Sequence, residues 1–480
     1  MDLTGVTGVT GFTGVTGLTG VTGLTDVTAA AARIVGPEHV ERDVWLADAS
    51  GAGGSAPVLV HPGSAEQVRE LVAWAYANDV AILPVGGATG FSGGIVPQFD
   101  GPGLAVALGR LNRVRSFDPL LWRMEVEGGV TTATVQRLAR ENGLLFPPDP
   151  GAPEESQIGG NLATNAGGPH AFKYGVTSRW VTGVEAVIAP GELAHFGGPV
   201  RKDVAGYDLR GLLIGSEGTL GIITAAWLRL TPAPAVTIPV IAGYRSIADG
   251  VEAVEAAFAS NVVPATVDYL QGACLQHAPP PFLDAREFEF LVICEAESEV
   301  ERDALLEALG PGAATYDAKE VWRWRGGVSL AVRAARGEKL SEDIAVPLDR
   351  LREAIEGTLE IGARHELESC SWGHAGDGNL HSTFMYDPAH AEESARARAA
   401  AEELFELARE LGGTVSGEHG LGLLKAGQLL GQWSETAVGA HEAIKRALDP
   451  KGLFNPGKKV ARPQPGHQQQ VLHTAPAERR

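Results

Sequence analysis

The sequence predicts an α+β chain in two folded parts, and three observations carry that expectation. Strand-like and helix-like segments alternate up to TAAWLRLTP at 224–232. The run PAPA at 232–235 then breaks the pattern, and VTIPVIAGY restarts it with two more helix–strand alternations. At 480 residues the chain also exceeds what one ordinary core organises, which fits two or three domains.

Residues 4–25 repeat a Thr-Gly-(Val/Leu/Phe) triplet. Glycine at every third position without proline gives a collagen triple helix little support, so 1–28 reads as a low-complexity tail. The first folded part, 29–232, has a strand at VLV, 58–60, followed by Ser64 and Gln67 in the arrangement of a capping box. Val68, Leu71, Val72 and Ala75 then recur at helical spacing, and AILPV at 81–85 reads as the next strand. In the second part, 233–460, a helix from about Ala389 to Leu411 carries Leu404, Leu407, Ala408 and Leu411 as a core stripe. Gly412 and Gly413 close that helix. The Pro/Gln-rich end, 461–480, reads as disordered.

Composition excludes several functions. Acidic groups (59) outnumber basic ones (39), for a net charge of −20, and no Lys/Arg block offers a nucleic-acid surface. No apolar run approaches the roughly 18 residues of a membrane span. The start of the chain lacks the basic and apolar regions of a secretory signal. Cys274, Cys294 and Cys370 are too few and too scattered for a disulfide framework or a four-cysteine metal cluster, so a reduced cytoplasmic setting is expected.

Three glycine-rich stretches stand out. PVGGATGFSGG at 84–94 leaves a strand and lets successive backbone amides converge on an anion. It lacks G-x-G-x-x-G, which argues against a Rossmann loop. Gly90-Phe91-Ser92-Gly93-Gly94 does match G-x-S-x-G, but that nucleophile elbow must run strand–turn–helix, and Pro97 and Pro102 follow instead. The second stretch is 147–175. The third joins DVAGYDL at 203–209 to IGSEGTLGII at 214–223.

The segment GHAGDGNLH at 373–381 has Asp377-Gly378 at its centre, a strong signal for a two-residue hairpin turn. With that pair at the tip, position 374 pairs with 381, setting His374 opposite His381 on one face. Cross-strand Cβ atoms lie about 4.5–5.5 Å apart, so both imidazoles can reach one cation at bonds of about 2.0–2.1 Å. GEHGLG at 417–422 supplies Glu418 as a third ligand beside His419. Two histidines and a carboxylate leave open positions for a substrate.

The glycine stretches resemble the FAD-binding domain of the vanillyl-alcohol-oxidase and p-cresol-methylhydroxylase type. GHAGDGNLH, SGEHGLG and IKRALDPKGLFNPGK (444–458) resemble the C-terminal domain of FAD-linked 2-hydroxy-acid dehydrogenases. That group includes glycolate oxidase, D-lactate dehydrogenases and D-2-hydroxyglutarate dehydrogenase. The resemblance implies a two-part FAD-binding domain followed by a C-terminal substrate or cap domain with an antiparallel sheet. Val85, Gly86, Gly87, Ala88, Thr89, Gly90, Ser92 and Gly93 are similar to the family's pyrophosphate loop. Pro148, Ser156, Gly159, Gly160, Asn161, Thr164, Asn165, Ala166, Gly167 and Gly175 lie in the segment implied to wrap the flavin. Glu217, Gly218, Gly221 and Ile222 are implied to close the cofactor site, with Asn455 also at the cofactor. No histidine stands in the first loop, which implies noncovalent FAD.

The same resemblance implies His374, His381 and Glu418 as ligands of a divalent metal (Zn, Mn or Fe) and His419 as the base. Arg325, Ser329 and Asn379 are implied to meet the substrate. Ser341 stands where certain relatives place a lysine, with Lys339 two residues away. The implied activity is oxidation of a D-2-hydroxy acid to the 2-oxo acid, with hydride passing to flavin N5. Electrons then go to an external quinone or electron-transfer protein, in a cytoplasmic or membrane-peripheral enzyme compatible with a homodimer. Alternatives from other classes are a metallohydrolase, a non-catalytic flavin-binding subunit, an ether-lipid synthase of the same superfamily, or a dehydrogenase of D-2-hydroxyglutarate.

Overall fold

The computed structural model describes residues 24–460 and 462. The expected tail at 461–480 lies outside them, apart from Arg462, and so does 1–23 of the N-terminal repeat. The first helix, Leu24–Val35, begins inside the stretch expected to be tail to residue 28. Its cause is apolar spacing: Val27, Ala31 and Val35 pack with Val58, Val60 and Val68 in one buried cluster. The triplet repeat hid this face, because its last residues already belong to the helix.

The first half holds two principal sheets, besides the short pairing of Leu144–Leu145 with Thr231–Pro232. The smaller runs in the order Val40–Ala47, Gly53–Val60, Gly103–Ala107, Ala81–Val85, and its last three strands are parallel. Helix Ala65–Ala77 covers it through Val68, Leu71, Val72 and Ala75, the residues expected from spacing. Ser64 Oγ accepts from the Gln67 amide at 3.2 Å, but the Gln67 side chain reaches the Gly63 amide rather than that of Ser64. The second sheet is antiparallel, in the order Val114–Asp118, Arg123–Glu127, Ile222–Arg229, Val181–Ile188, Glu192–Gly197. Short helix Ile158–Thr164 packs beside it, where Gly159 comes so near Gly128 that a Cβ would meet the Gly128 carbonyl oxygen at 3.0 Å.

The second half is built on a seven-stranded antiparallel sheet. Its order is Ala314–Thr315, Ile238–Tyr244, Phe290–Ala296, Val267–Gln271, Glu368–His374, Asn379–Tyr386, Glu338–Ala345. Helices Ile247–Ala259, Glu299–Leu309, Leu351–Arg364 and Ala391–Glu410 bury one face. Gly272–His277 and Ala318–Arg336 cover the other. Both faces are therefore dry over much of their area, which is why strands Ile238–Tyr244 and Phe290–Ala296 read as near-continuous apolar runs.

The histidine hairpin forms with a different register from the expected one. His374 pairs with Asn379 and Trp372 with His381. The connection is a turn of 3-10 helix, Ala375–Asp377, closed by Gly378 at φ 67°, so four residues rather than two span the tip. A Cβ on Gly378 would also collide with the Val346 carbonyl oxygen, which fixes glycine there. Period-2 alternation keeps His374 and His381 on one face as diagonal neighbours, so they still converge.

Residues 453–455 return to the first half. Ile82 donates to the Leu453 carbonyl at 2.8 Å and accepts from the Asn455 amide at 2.7 Å. Between them Phe454 lies fully buried against the first sheet. We expect Phe454→Ala to cost about 3–5 kcal/mol of stability, read as a lowered thermal midpoint with the fold retained. A shift within error would mean this strap does not hold the halves together.

Candidate active site and metal centre

The hairpin, the loop 416–422 and the strand Glu338–Ala345 meet at one place. His374 Nε2 and His381 Nε2 each lie 3.5 Å from Glu418 Oε1. The two imidazoles stand edge to face, with centroids 5.4 Å apart. One donor atom from each of the three residues falls within 4.8 Å of the others, a spacing that could hold a single cation. Burial pushes the His381 imidazole down to about 3, with His419 and His374 acting in the same sense against Glu418. It is therefore the neutral form that a metal requires. His374 is 6 % exposed. Burial alone would lower it, but the Asp268 carboxylate and then Glu418 raise it to about 10.

Asp268 is the residue that sequence reading missed on this side. Its Oδ1 sits 2.7 Å from His374 Nδ1, leaving Nε2 as the atom facing Glu418. Its Oδ2 accepts from Arg325 Nε at 2.8 Å. Burial opposes its charge, yet Arg325 and His374 pull its carboxyl down to about 2. One carboxylate thus orients a candidate ligand and the expected substrate-binding arginine together. Arg325 also leaves a buried guanidinium nitrogen, Nη2, without a partner. Ser329 follows it by four residues on helix Ala318–Arg336 and is half-buried on the same face.

Asp343 was missed as well, and it governs the opposite side. Its Oδ2 accepts from the amides of Glu418 and His419 at 2.9 and 2.8 Å and from Ser416 Oγ at 3.0 Å. Its Oδ1 accepts from Asn379 Nδ2 at 2.7 Å. Burial works to raise this carboxyl, but the charges of His419, Lys425 and His381 together with those amides hold it well below the usual range. Asn379 keeps its Oδ1 buried and unpartnered. An acid inside each of the strand-like runs VDYLQ and SEDIA was the available signal, since a buried charge needs partners.

The glycine loops reach this site directly. Phe91 lies against the His419 ring, centroids 4.8 Å apart, and Ser92 Oγ donates to the His419 carbonyl at 3.1 Å. The His419 ring in turn stacks on His381 at 5.3 Å. A Cβ on Gly167 would lie 2.7 Å from Glu418 Oε2. A Cβ on Gly86 would lie 3.4 Å from Gly160 Cα, and a Cβ on Gly87 would collide with the Glu155 carbonyl oxygen. Ala88 takes φ 60°, a left-handed conformation that favours glycine or asparagine. The buried Gln157 Oε1 at this junction has no partner. A cradle of bare backbone beside an orphaned acceptor fits a bound dinucleotide.

Several expected cofactor residues spend their side chains on the scaffold. Ser156 Oγ and Asn161 Nδ2 both bond Thr132 Oγ1, at 2.7 and 2.6 Å. Thr164 Oγ1 caps back to the Gly160 carbonyl, Asn165 Oδ1 accepts from the Ser178 amide, and Pro148 accepts from Gln136. Gly93 donates to Asp48, and a Cβ on Gly221 would strike the Val187 carbonyl oxygen. Glu217 was expected beside the cofactor, yet its carboxylate accepts from the Leu421 and Gly422 amides at 2.9 and 2.6 Å. Asn455 donates to the Gly94 and Glu217 carbonyls and keeps a buried Oδ1 free.

Comparison with known proteins bears on this geometry. Residues 56–197 match the model described as an FAD binding domain, and 233–459 match that of FAD linked oxidases, C-terminal domain. The chain is 33% identical over 451 residues to glycolate oxidase subunit GlcD of Bacillus subtilis (strain 168), covering 90% of this chain and 96% of that protein. It is 30% identical to D-lactate dehydrogenase of Anaerostipes hadrus, over 89% and 95% of the two chains. A crystal structure of p-cresol methylhydroxylase with substrate bound superposes with a TM-score of 0.74 at 18% identity, covering 92% and 97%, and shares the fold.

We expect Asp268→Asn to weaken divalent-metal affinity roughly 10- to 100-fold, measured by equilibrium dialysis against zinc. Unchanged affinity would remove Asp268 as the orienter of His374.

Proposed function

The chain belongs to the FAD-linked oxidase family, and from that membership and the site geometry we propose that it oxidises a D-2-hydroxy acid to the 2-oxo acid. Glycolate- and lactate-like acids are the substrates meant, in keeping with the names of two relatives. One observation carries the reading. A set of possible metal ligands, an imidazole stacked between Phe91 and His381, and a buried guanidinium with an unused donor converge where the glycine loops meet the second half.

The roles follow from the chemistry of each group. Bound FAD supplies the acceptor for the two electrons leaving Cα. A divalent ion held by His374, His381 and Glu418 would supply positive charge to the α-hydroxyl oxygen and lower its pKa. Arg325 holds the substrate carboxylate through its unpartnered Nη2, with Asp268 fixing the guanidinium plane. Ser329 offers its hydroxyl to the same ligand, and the free Oδ1 of Asn379 could accept from the α-hydroxyl before its proton leaves. His419 takes the hydroxyl proton, and Asp343 holds its backbone at the right height. The two electrons would leave to an external acceptor, a quinone or an electron-transfer protein. No helix among the described residues is long and apolar enough to cross a membrane.

A substrate with a second carboxylate, D-2-hydroxyglutarate, is the other reading, and one residue favours it. Ser341, bonded to Thr383 Oγ1, is uncharged. Lys339 lies on the same face of its strand, over the Trp372 ring at 5.1 Å, and burial lowers its pKa to about 8. Among the described residues it has no carboxylate in ion-pair range.

A dye-coupled screen of glycolate, both lactates and D-2-hydroxyglutarate tests the proposal on protein whose spectrum and metal content are known. A colourless, inactive preparation would sink it. We expect Arg325→Lys to raise KM far more than it lowers kcat, because an ammonium cannot hold Asp268 and the substrate carboxylate at once in the fixed plane of a guanidinium. An unaltered KM would take Arg325 out of the carboxylate site. His419→Asn should slow anaerobic bleaching of the flavin by about 100- to 10,000-fold. Normal bleaching in that variant would place the base elsewhere.

A further inference from the structure

The larger sheet of the first half ends in a cavity of about 480 Å³ that the chemistry above does not use. Four arginines line it from four separate segments. Arg179 lies in the turn Thr177–Trp180, and Arg201 in the loop after strand Glu192–Gly197. Arg210 lies in helix Leu209–Leu213, and Arg229 ends strand Ile222–Arg229. The single carboxylate on its wall, Asp208, is 3.1 Å from Arg210. Arg201 donates to the Leu121 carbonyl at 2.9 Å. Arg229 stacks over Trp180 at 4.9 Å and keeps a buried Nε without an acceptor. Among the described residues no carboxylate stands in ion-pair range of Arg179, Arg201 or Arg229.

Three unbalanced guanidiniums in one cavity are unexpected on a chain of net charge −20, where carboxylates are plentiful. Burial first, and then the charges of Arg201, Arg179 and Arg210, disfavour the charged form of Arg229. A ligand bearing several negative charges reverses that repulsion. Each guanidinium offers a planar fork matched to a carboxylate or phosphate, and the forks come from different walls. The volume lies within the roughly 300–1,000 Å³ of small-molecule sites.

The cavity is also distinct from the expected pyrophosphate loop. Helix Ile158–Thr164 presents Gly160 to Gly86 near one end, while Asn165, just past the other, lines the cavity. Gly160 and Asn165 are five positions apart, about 7.5 Å along the helix axis.

We propose that this cavity binds a small polyanion, a molecule carrying two or more carboxylate or phosphate groups. The proposal is independent of hydroxy-acid oxidation, and its test reads binding rather than turnover. Flavin-loaded enzyme is titrated with sodium pyrophosphate by calorimetry at constant ionic strength. Saturable binding of one equivalent is expected. Replacing both Arg201→Gln and Arg229→Gln should weaken it at least tenfold with flavin content unchanged. Arg245→Gln, at an exposed ion pair with Glu287 elsewhere, should leave it as it was. Asp208→Asn removes the opposing charge while retaining a helix-capping side chain, and should tighten binding several-fold. Absence of saturable binding to the parent enzyme overturns the proposal. So does equal affinity in the double variant, or loss of flavin on changing the arginines, which would assign the cavity to the cofactor. If the double variant does not fold, the parent and Asp208→Asn titrations decide.

Discussion

The position of one short backbone loop, 416–422, governs the whole site, and two buried carboxylates set that position. Asp343 takes hold of it from the second half through the amides of Glu418 and His419 and the hydroxyl of Ser416. Glu217 takes hold from the first half through the amides of Leu421 and Gly422. Burying a carboxylate costs several kcal/mol unless its oxygens are fully engaged. Here each oxygen accepts from backbone or side-chain donors, so the loop can move only by leaving a buried charge unsatisfied. Glu418 and His419 are loop residues, yet they sit on a support as stiff as a strand.

The seven-stranded sheet supplies the other half of that rigidity. Its site-facing surface carries Asp268, His374, His381 and Asp343 on adjacent strands, with Arg325 arriving from the helix above. Neighbouring polar groups on a dry sheet satisfy one another, which makes the arrangement specific as well as stable. Asp268 links the imidazole of His374 to the guanidinium of Arg325, so a group suited to a metal and a group suited to a carboxylate share one anchor. The return of residues 453–455 to the first sheet then ties that assembly to the glycine loops.

Much of this was legible in residue types and spacing. The helix Ala65–Ala77 follows from Val68, Leu71, Val72 and Ala75, and its start from Ser64. The histidines converge because an even number of steps along a strand returns to the same face, and this survived a four-residue connection in place of the expected two. Other features were not legible. The helix at Leu24 was masked by a repeat that shares its residue types, and only the sheet beneath reveals Val27 and Ala31 as core. Glu217 sits in a glycine-rich motif whose resemblance points to the cofactor, whereas its carboxylate is spent on a loop 204 and 205 positions away.

By itself the sequence determined an α+β chain in two parts, glycine loops built for close backbone approach, and the presence of two histidines, a glutamate and a further histidine in turns able to present them. These are local properties, fixed by propensity, periodicity and φ constraints over a few residues. Tertiary structure alone decided that Asp268 would orient His374 across 106 positions and that Asp343 would hold the His419 amide across 76. It also decided that Arg179, Arg201, Arg210 and Arg229 would share one cavity. Spacing along a chain cannot specify such pairings. They arise when sheet order and two-sided burial bring distant charges together and leave each one only a few partners within reach.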